Sequence, residues 1–134
     1  MTPLHALAEQ ALAQSYSPYS QFRVGAALRT RSGAVYSGCN VECAAYPLST
    51  CAERSAIVAA VRAEGPALEV VELVVMARDA AGVDQPASPC GACRQLILEF
   101  GASTEVHFRD AGGTWQQAAI DALLPGGFRL ATAG

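Results

Sequence analysis

Two short cysteine-containing segments, each at the start of a predicted helix, constrain most strongly how this chain can fold. The first is Cys51-Ala52-Glu53, and the second is Pro89-Cys90-Gly91-Ala92-Cys93. Cys90 and Cys93 are one helical turn apart, so both sulfur atoms can reach a single metal ion. If the two helices pack side by side, Cys51 joins them as a third thiolate. Three protein ligands leave the fourth position of a tetrahedral zinc ion open, which is typical of a catalytic zinc site.

Glu53 follows Cys51 closely enough to lie beside a water bound to that metal. A carboxylate in this place can take a proton from the water and pass it to a leaving group. Because three thiolates outweigh the charge of Zn²⁺, the site also needs groups that reduce the negative charge on sulfur. The two predicted helix N-termini supply positive partial charge, and Arg54 or Arg94 could donate hydrogen bonds to sulfur. A structural zinc site and a redox cysteine pair are the alternatives at this point.

Hydrophobic periodicity predicts alternating helices and strands along the chain. Apolar residues recur at helical spacing after Thr2-Pro3, and residues 69–77 form the nearly continuous apolar run of a strand covered on both faces. The predicted helices are 2–15, 51–62, 90–100 and 120–124, and the predicted strands are 22–30, 34–39, 69–77, 106–108 and 114–116. This order predicts one α/β domain over residues 1–134, with a single mixed five-stranded sheet sandwiched by helices.

The composition excludes several classes of protein. Hydrophobic residues make up 51% and charged residues 16% of the chain, which excludes intrinsic disorder. The formal charge of −3 offers no electrostatic surface for nucleic acid or an anionic membrane. No apolar stretch approaches the ~20 residues of a membrane span, and the amino end lacks the pattern of a signal peptide. Five cysteines are an odd number, which disfavours a disulfide framework, so we expect a cytoplasmic protein.

Several segments together resemble the small cytidine deaminases, the three-cysteine zinc type of the cytidine and deoxycytidylate deaminase family. The two cysteine motifs are similar to the zinc-deaminase signature, in which the glutamate is not a metal ligand. The sequence SPYSQFRVGAAL at residues 17–28 resembles the amino-terminal block of that family. GCNVE at 38–42 resembles its ribose-binding turn, and LLPGGF at 123–128 resembles its closing block. The resemblance covers residues 15–128, which is nearly the whole chain.

This resemblance implies a cytidine deaminase-like α-β-α fold and a specific reaction. Cys51, Cys90 and Cys93 would hold one Zn²⁺ per subunit, and Glu53 would move protons. The activated water would attack C4 of cytosine, so that cytidine and 2′-deoxycytidine become uridine and 2′-deoxyuridine with release of ammonia. An enzyme of this kind would serve pyrimidine salvage.

The same resemblance assigns residues to the substrate. Asn40 and Glu42 match residues that bind the ribose hydroxyl groups, and Phe22 matches one that packs near the nucleoside. The backbone groups of Ala52 and Ser88 would contact the edge of the base. Two further residues, Tyr46 and Phe128, match residues that complete the site of a neighbouring subunit, so the implied assembly is a homotetramer with shared active sites.

One departure from the family pattern lies in the ribose-binding turn. Cys43 stands where the pattern has asparagine, and a thiol is a much weaker hydrogen-bonding group than an amide. Three alternatives stay open: a deaminase of another aminopyrimidine nucleoside of the blasticidin type, an editing deaminase that acts on nucleic acid, and a zinc-stabilised module without catalysis. The acidic charge of the chain disfavours the second, because a nucleic-acid channel carries basic residues.

Overall fold

In the computed structural model, which describes residues 2–131, helix α1 (Pro3–Leu12) begins at the predicted Thr2-Pro3 signal. The Thr2 side chain accepts a hydrogen bond from the backbone N–H of His5, and the His5 ring accepts one from the backbone N–H of Thr2. This reciprocal pair satisfies two N–H groups that have no partner inside the helix. The helix ends before the predicted Ser15, because the N–H of Ser15 bonds to the carbonyl of Leu12 in a tighter turn.

Within residues 2–131, six strands form one mixed sheet. They are β1 (Arg23–Thr30), β2 (Val35–Cys39), β3 (Val70–Arg78), β4 (Asp84–Gln85), β5 (Glu105–Arg109) and β6 (Trp115–Ala119). Their order across the sheet is β2-β1-β3-β5-β6, with β4 paired to the end of β3. β1 and β2 form the predicted antiparallel hairpin, and β3 and β5 are the parallel neighbours. The prediction of a single mixed sheet is confirmed.

The predicted number of five strands is wrong by one, because the sequence gives no signal for β4. This strand has two residues, which pair with Ala77 and Arg78, and a segment so short cannot show alternation. The Asp79 side chain folds the chain back toward β3, since its Oδ1 accepts hydrogen bonds from two backbone N–H groups of the following turn. The added strand therefore depends on a local turn and on the end of β3 that extends beyond its pairing with β5.

Helices cover both faces of the sheet, as predicted. Helix α1 lies on one face, and α2 (Ala52–Glu64), α3 (Gly91–Phe100) and α4 (Ile120–Leu123) belong to the core on the other. Because successive strand residues point to opposite faces, Ala27 packs toward α1, whereas Ala26 and Leu28 pack toward α2 and α3. Within residues 2–131, no helix has the length and apolar character that crossing a membrane requires.

Two glycines let the helices approach the sheet closely. A Cβ atom at Gly38 of β2 would lie 2.4 Å from the backbone nitrogen of Ala56 in α2. A Cβ atom at Gly25 of β1 would lie 2.1 Å from the carbonyl oxygen of Ala8 in α1. Both distances are far below a normal van der Waals contact, so only glycine permits this packing. The position of α2, which begins at the first cysteine motif, therefore depends on Gly38.

Candidate metal and active site

The three predicted metal-binding thiols meet at the N-termini of α2 and α3. Cys51 is the N-cap residue of α2, Cys90 is the N-cap residue of α3, and Cys93 lies in the first turn of α3. Their sulfur atoms all lie within 4.8 Å of one another. Neither N-cap side chain makes a capping hydrogen bond, so both sulfur atoms are available to a metal. The three thiols thus converge as the sequence predicts.

The surroundings of these thiols make their joint ionisation unfavourable in the absence of a cation. Burial raises the pKa of Cys51 and of Cys93, and the nearby Glu53 carboxylate raises both further. Burial also acts to raise the pKa of Cys90, but hydrogen bonds from Cys93 and Cys51 lower it overall. Thiolates packed this closely repel one another, so all three can ionise together only beside a positive charge. The donor set therefore fits zinc, which binds thiolate sulfur in tetrahedral sites.

Glu53 lies in the first turn of α2, next to the thiol cluster, and is only 5% exposed. Burial raises the pKa of its carboxyl group, while hydrogen bonds from its own backbone and from the Cys93 thiol act in the opposite direction. A raised pKa brings a carboxyl group closer to the range in which it exchanges protons at neutral pH. The residue is thus placed to hold and move a proton.

An open cavity of about 280 Å³ leads to Glu53 and the thiols. Six of the predicted site residues line it: Asn40, Glu42, Cys51, Ala52, Glu53 and Cys90. Its remaining walls are formed by residues of β1 and of the loop between β2 and α2. The cavity is small for a ligand pocket but has the concave form and the few converging polar groups that such pockets show.

A short backbone bridge places the Asn40–Glu42 turn beside the first cysteine motif. Val41 and Thr50 exchange two backbone hydrogen bonds of 3.0 and 2.8 Å, which close the loop between β2 and α2 immediately before Cys51. Inside this loop, the backbone N–H of Cys43 donates to Ser49 Oγ at 3.2 Å. The predicted sugar-binding turn and the predicted metal site therefore share one wall of the cavity.

Asn40 lies at the cavity wall, but its side chain is largely occupied by other parts of the chain. Its Oδ1 accepts hydrogen bonds from the backbone N–H of Val24 at 2.8 Å and from the hydroxyl of Ser15 at 2.5 Å. Its Nδ2 donates to the carbonyl of Phe22 at 2.8 Å. One amide hydrogen is left over for a ligand. Asn40 thus fixes the start of β1 in addition to facing the cavity.

Glu42 is held as a carboxylate by the loop that precedes β1. Its Oε1 accepts hydrogen bonds from the backbone N–H groups of Tyr19 and Ser20, and its Oε2 accepts one from the Ser20 hydroxyl. These hydrogen bonds, led by that of the Ser20 side chain, hold the pKa of Glu42 below its usual range. A carboxylate has further acceptor positions, so Glu42 can still accept from a ligand hydroxyl.

A second cavity of about 280 Å³ adjoins the first and shares Glu42 and Ser49 with it. Tyr19 and Tyr46 line this cavity, with their rings edge-to-face and their centroids 5.8 Å apart. Tyr46 is 69% exposed, so a single copy of the chain leaves much of its ring uncovered. Tyr46 therefore lines this second cavity and not the cavity that contains Glu53, and its predicted contact with a neighbouring site stays a prediction.

Four other predicted residues do not line the main cavity of a single copy: Phe22, Arg54, Ser88 and Phe128. Phe128 is 65% exposed, and its backbone carbonyl accepts a hydrogen bond from Gln95 at 2.9 Å. Phe22 is 36% exposed, and Arg54 is exposed in the first turn of α2. The roles assigned to these four residues stay predictions.

Arg94 binds oxygen atoms rather than sulfur, so the suggestion that it donates to the thiols is wrong. Its guanidinium donates to the carbonyls of Pro89 and Leu123, both at 2.7 Å, and to Ser88 Oγ at 3.1 Å. Sequence reasoning could not find the Leu123 carbonyl as a partner, because this residue is distant in the chain.

Ser15 and Ser20 were not predicted as site residues, yet their hydroxyls hold the side chains of Asn40 and Glu42. The only available signal was the run of Ser, Pro and Tyr at residues 15–20, because short hydroxyl side chains in loops often bond to nearby polar groups.

Comparisons with known proteins agree with this geometry. The family model of the cytidine and deoxycytidylate deaminase zinc-binding region matches residues 2–108, which include both cysteine motifs and Glu53. The chain is 40% identical over 126 residues to a cytidine deaminase of Sporosarcina psychrophila, covering 93% of this chain and 88% of that protein. It is 43% identical over 120 residues to a cytidine deaminase of Halalkalibacterium halodurans, covering 89% of this chain and 86% of that protein.

Solved structures show the same relationship. The crystal structure of cytidine deaminase from Burkholderia pseudomallei matches with a TM-score of 0.80 at 41% identity, over 96% of this chain and all (100%) of that one. That of cytidine deaminase from Mycobacterium tuberculosis matches with a TM-score of 0.76 at 36% identity, over 95% of each chain. Since the sequence motifs, the fold and these matches agree, the chain belongs to the cytidine and deoxycytidylate deaminase family.

Proposed function

We propose that residues 1–134 form a single deaminase domain that hydrolyses cytidine and 2′-deoxycytidine to uridine and 2′-deoxyuridine plus ammonia. The observation that carries the proposal is the placement of the buried Glu53 beside three thiols within 4.8 Å of one another, at the end of a cavity that Asn40 and Glu42 also line. Cytidine deaminases at 40% and 43% identity support the same substrate class.

Cys51, Cys90 and Cys93 would hold the zinc ion of this family. When bound, zinc supplies a Lewis acid that makes water nucleophilic at neutral pH. The N-termini of α2 and α3 point their positive ends at the thiol cluster, which offsets part of the thiolate charge. The thiols therefore provide the metal ligands, and the positive ends of the two helices stabilise the negative charge of the thiolates.

Glu53 would move the protons of the reaction. In the overall change, the bond between C4 of cytosine and its amino nitrogen breaks, and a C4–O bond forms with the oxygen of water. One water proton ends on ring nitrogen N3 of uracil, and the other leaves with the amino nitrogen as ammonia. The Glu53 carboxylate accepts one proton from the attacking water and delivers it to the leaving nitrogen. Because Glu53 is largely buried, its contact with bulk water is limited, which reduces loss of the transferred proton to solvent.

Asn40 and Glu42 would bind the sugar. The Glu42 carboxylate accepts hydrogen bonds from ribose hydroxyls, and the remaining Asn40 amide hydrogen donates one. The backbone groups of Ala52 and Ser88 would contact the base edge, and Phe22 would pack near the nucleoside. Because Glu42 already binds the loop at residues 19–20, substrate contact and loop position are linked in this proposal.

The uncovered aromatic residues support a homotetramer with shared sites. Tyr46 and Phe128 are 69% and 65% exposed, and the neighbouring Leu48 and Leu130 are 72% and 77% exposed. Exposed apolar groups of this size often mark an interface between subunits. In the tetramer, Tyr46 and Phe128 would complete a neighbouring site.

All five cysteines are free thiols, which supports a reducing, cytoplasmic location and a task in pyrimidine salvage.

The direct test follows the ultraviolet absorbance of cytidine, 2′-deoxycytidine and blasticidin S with the zinc-loaded protein. We expect conversion of the first two and not of the third. Glu53→Gln is expected to keep one zinc per subunit and lose turnover, while Glu99→Gln on the exposed side of α3 serves as the matched control. Lack of cytidine conversion by the zinc-loaded protein would overturn the proposal, and retained activity in Glu53→Gln would overturn the role of Glu53.

A mixing experiment tests the shared sites. Glu53→Gln damages the site of its own subunit, whereas Phe128→Ala would damage that of a neighbour. Tetramers reassembled from both variants are expected to contain some intact sites and to regain part of the wild-type activity. If the mixture is no more active than the sum of its components, or if light scattering shows a monomer, the shared site is refuted.

A further inference from the structure

Arg94 connects the segment before the second cysteine motif to the C-terminal part of the chain. The residue lies in the second turn of α3, directly after Cys93. Its Nε donates to the carbonyl of Pro89, and its two terminal nitrogens donate to the carbonyl of Leu123 and to Ser88 Oγ. Every nitrogen of the guanidinium group thus has an oxygen partner between 2.7 and 3.1 Å away.

These partners belong to two different parts of the fold. Ser88 and Pro89 form the extended segment that leads into Cys90, whereas Leu123 is the last residue of α4. The planar guanidinium group offers donors in fixed directions, so it can set the distance and the angle between these two segments at once. A cation without this planar set of donors, such as an ammonium group on a flexible side chain, could hold only one of the two segments.

The same helix also fixes the segment that follows α4. The side chain of Gln95 donates to the carbonyl of Phe128 at 2.9 Å. Gly127 lies so close to α3 that a Cβ atom there would be 2.7 Å from Leu98 Cδ2. Residues 123–128 are therefore held on α3 by Arg94 at one end and by Gln95 at the other.

We propose that Arg94 is a positioning residue for both halves of the active site. By holding the Pro89 carbonyl and the Ser88 hydroxyl, it sets the position of Cys90 and of the base-contacting backbone, and by holding the Leu123 carbonyl it places the closing segment. The part of this inference that concerns substrate binding rests on the proposed function. The part that concerns metal binding requires only the thiol cluster. Arg94 contacts neither substrate nor sulfur and acts through the segments it holds.

The experiment compares Arg94→Met, Arg94→Lys and the control Arg62→Met, which removes an exposed arginine of α2. Methionine keeps most of the apolar stem and removes all three hydrogen bonds. We expect Arg94→Met to raise KM for cytidine about tenfold or more and to release zinc to a chelator about tenfold faster, since each hydrogen bond from a charged group contributes on the order of a tenfold factor or more. Arg94→Lys should recover only part of either effect, because an ammonium group cannot span the three oxygens.

A double-mutant cycle with Ser88→Ala separates positioning from a general loss of stability. Ser88→Ala removes the hydroxyl that Arg94 binds and leaves the backbone in place, so its effect on KM should largely disappear in the Arg94→Met background. Additive effects, or zinc release in Arg94→Met equal to that in Arg62→Met, would overturn the inference. Full recovery by Arg94→Lys would also overturn it, since that result requires only a positive charge. A protein that releases zinc as expected but never deaminates cytidine would refute the proposed function. The inferred effect of Arg94 on metal binding would still be supported.

Discussion

Replacement of Gly38 by alanine tests whether close packing of β2 against α2 positions the reactive groups. A Cβ atom at this position would lie 2.4 Å from the backbone nitrogen of Ala56 and 2.7 Å from the Cβ of Ser55. Since unstrained contacts of carbon atoms are about 3.5 Å long, α2 must move away from β2 by roughly 1 Å. The obstacle is helix backbone, so no side-chain rotation can relieve the clash.

The Gly38→Ala substitution is expected to lower both stability and catalysis. Stability falls because the packing of α2 is disturbed, and catalysis falls because the site lies at the start of that helix. Overpacking of this kind costs about 1–3 kcal/mol of folding free energy, which lowers Tm by roughly 5–10 °C in a domain of this size. Cys51 and Glu53 lie at the start of the displaced helix. A misplacement of about 1 Å can reduce catalysis by roughly 10²-fold, so we expect kcat/KM for cytidine to fall by about that factor.

Gly112→Ala provides the matched control. A Cβ atom there would meet only Asp110 Oδ1, at 3.4 Å, and Gly112 does not have a positive φ. Thermal unfolding, zinc content and kcat/KM are measured for both variants and for the wild type. If Gly38→Ala matches Gly112→Ala in Tm and in kcat/KM, the close approach does not position the site and the reasoning is wrong.

Three further predictions concern the cavity wall, a hydrogen-bond cluster around Glu64 and the metal. Asn40→Ala removes the side-chain partner of the Val24 N–H and of the Phe22 carbonyl, so urea unfolding should show a loss of about 1–3 kcal/mol together with a higher KM; an unchanged stability would contradict this. The Glu64 carboxylate accepts hydrogen bonds from Thr30 and Tyr36, which lower its pKa, so its stabilising effect is complete above the ordinary value of 4.5 and is lost as the pH falls through the lowered value. The Tm deficit of Glu64→Gln should therefore be largest at neutral pH and shrink in acid, and a deficit that grows in acid would refute the assignment. Zinc removal by a chelator should lower Tm and make three thiols per chain accessible to a thiol reagent, with reversal on zinc addition; a Tm that does not respond would show that the thiols do not hold the metal.

Local patterns in the sequence predicted most of the elements that carry the site. The Thr2-Pro3 signal, the 22–30 and 34–39 hairpin and the two helices that begin after Cys51 and Cys90 are all present within a few residues of the predicted bounds. Each depends on contacts between residues close in the chain, such as capping groups and alternating apolar side chains. The cysteine spacing could be interpreted for the same reason, since one turn of helix brings Cys90 and Cys93 together.

Strand β4 and the true partners of Arg94 could not be predicted in this way. A two-residue strand has no periodicity, and its pairing requires the end of β3 that β5 leaves unpaired. Arg94 was considered as a donor to sulfur because of its place beside Cys93, yet one of its oxygen partners, Leu123, belongs to α4. Such pairings depend on which segments the core brings together.

The sequence by itself determined the chemistry that is available: three thiols, one adjacent carboxylate and the starts of two helices. The tertiary structure decided how these groups face a cavity, because Gly38 admits α2 to the sheet and the Val41–Thr50 bridge turns the Asn40–Glu42 segment toward Cys51. It also decided that the Asn40 side chain is mostly occupied by backbone groups of Phe22 and Val24 at the start of β1. Residue identity fixes what a group can bind, but long-range packing fixes which partner is within reach.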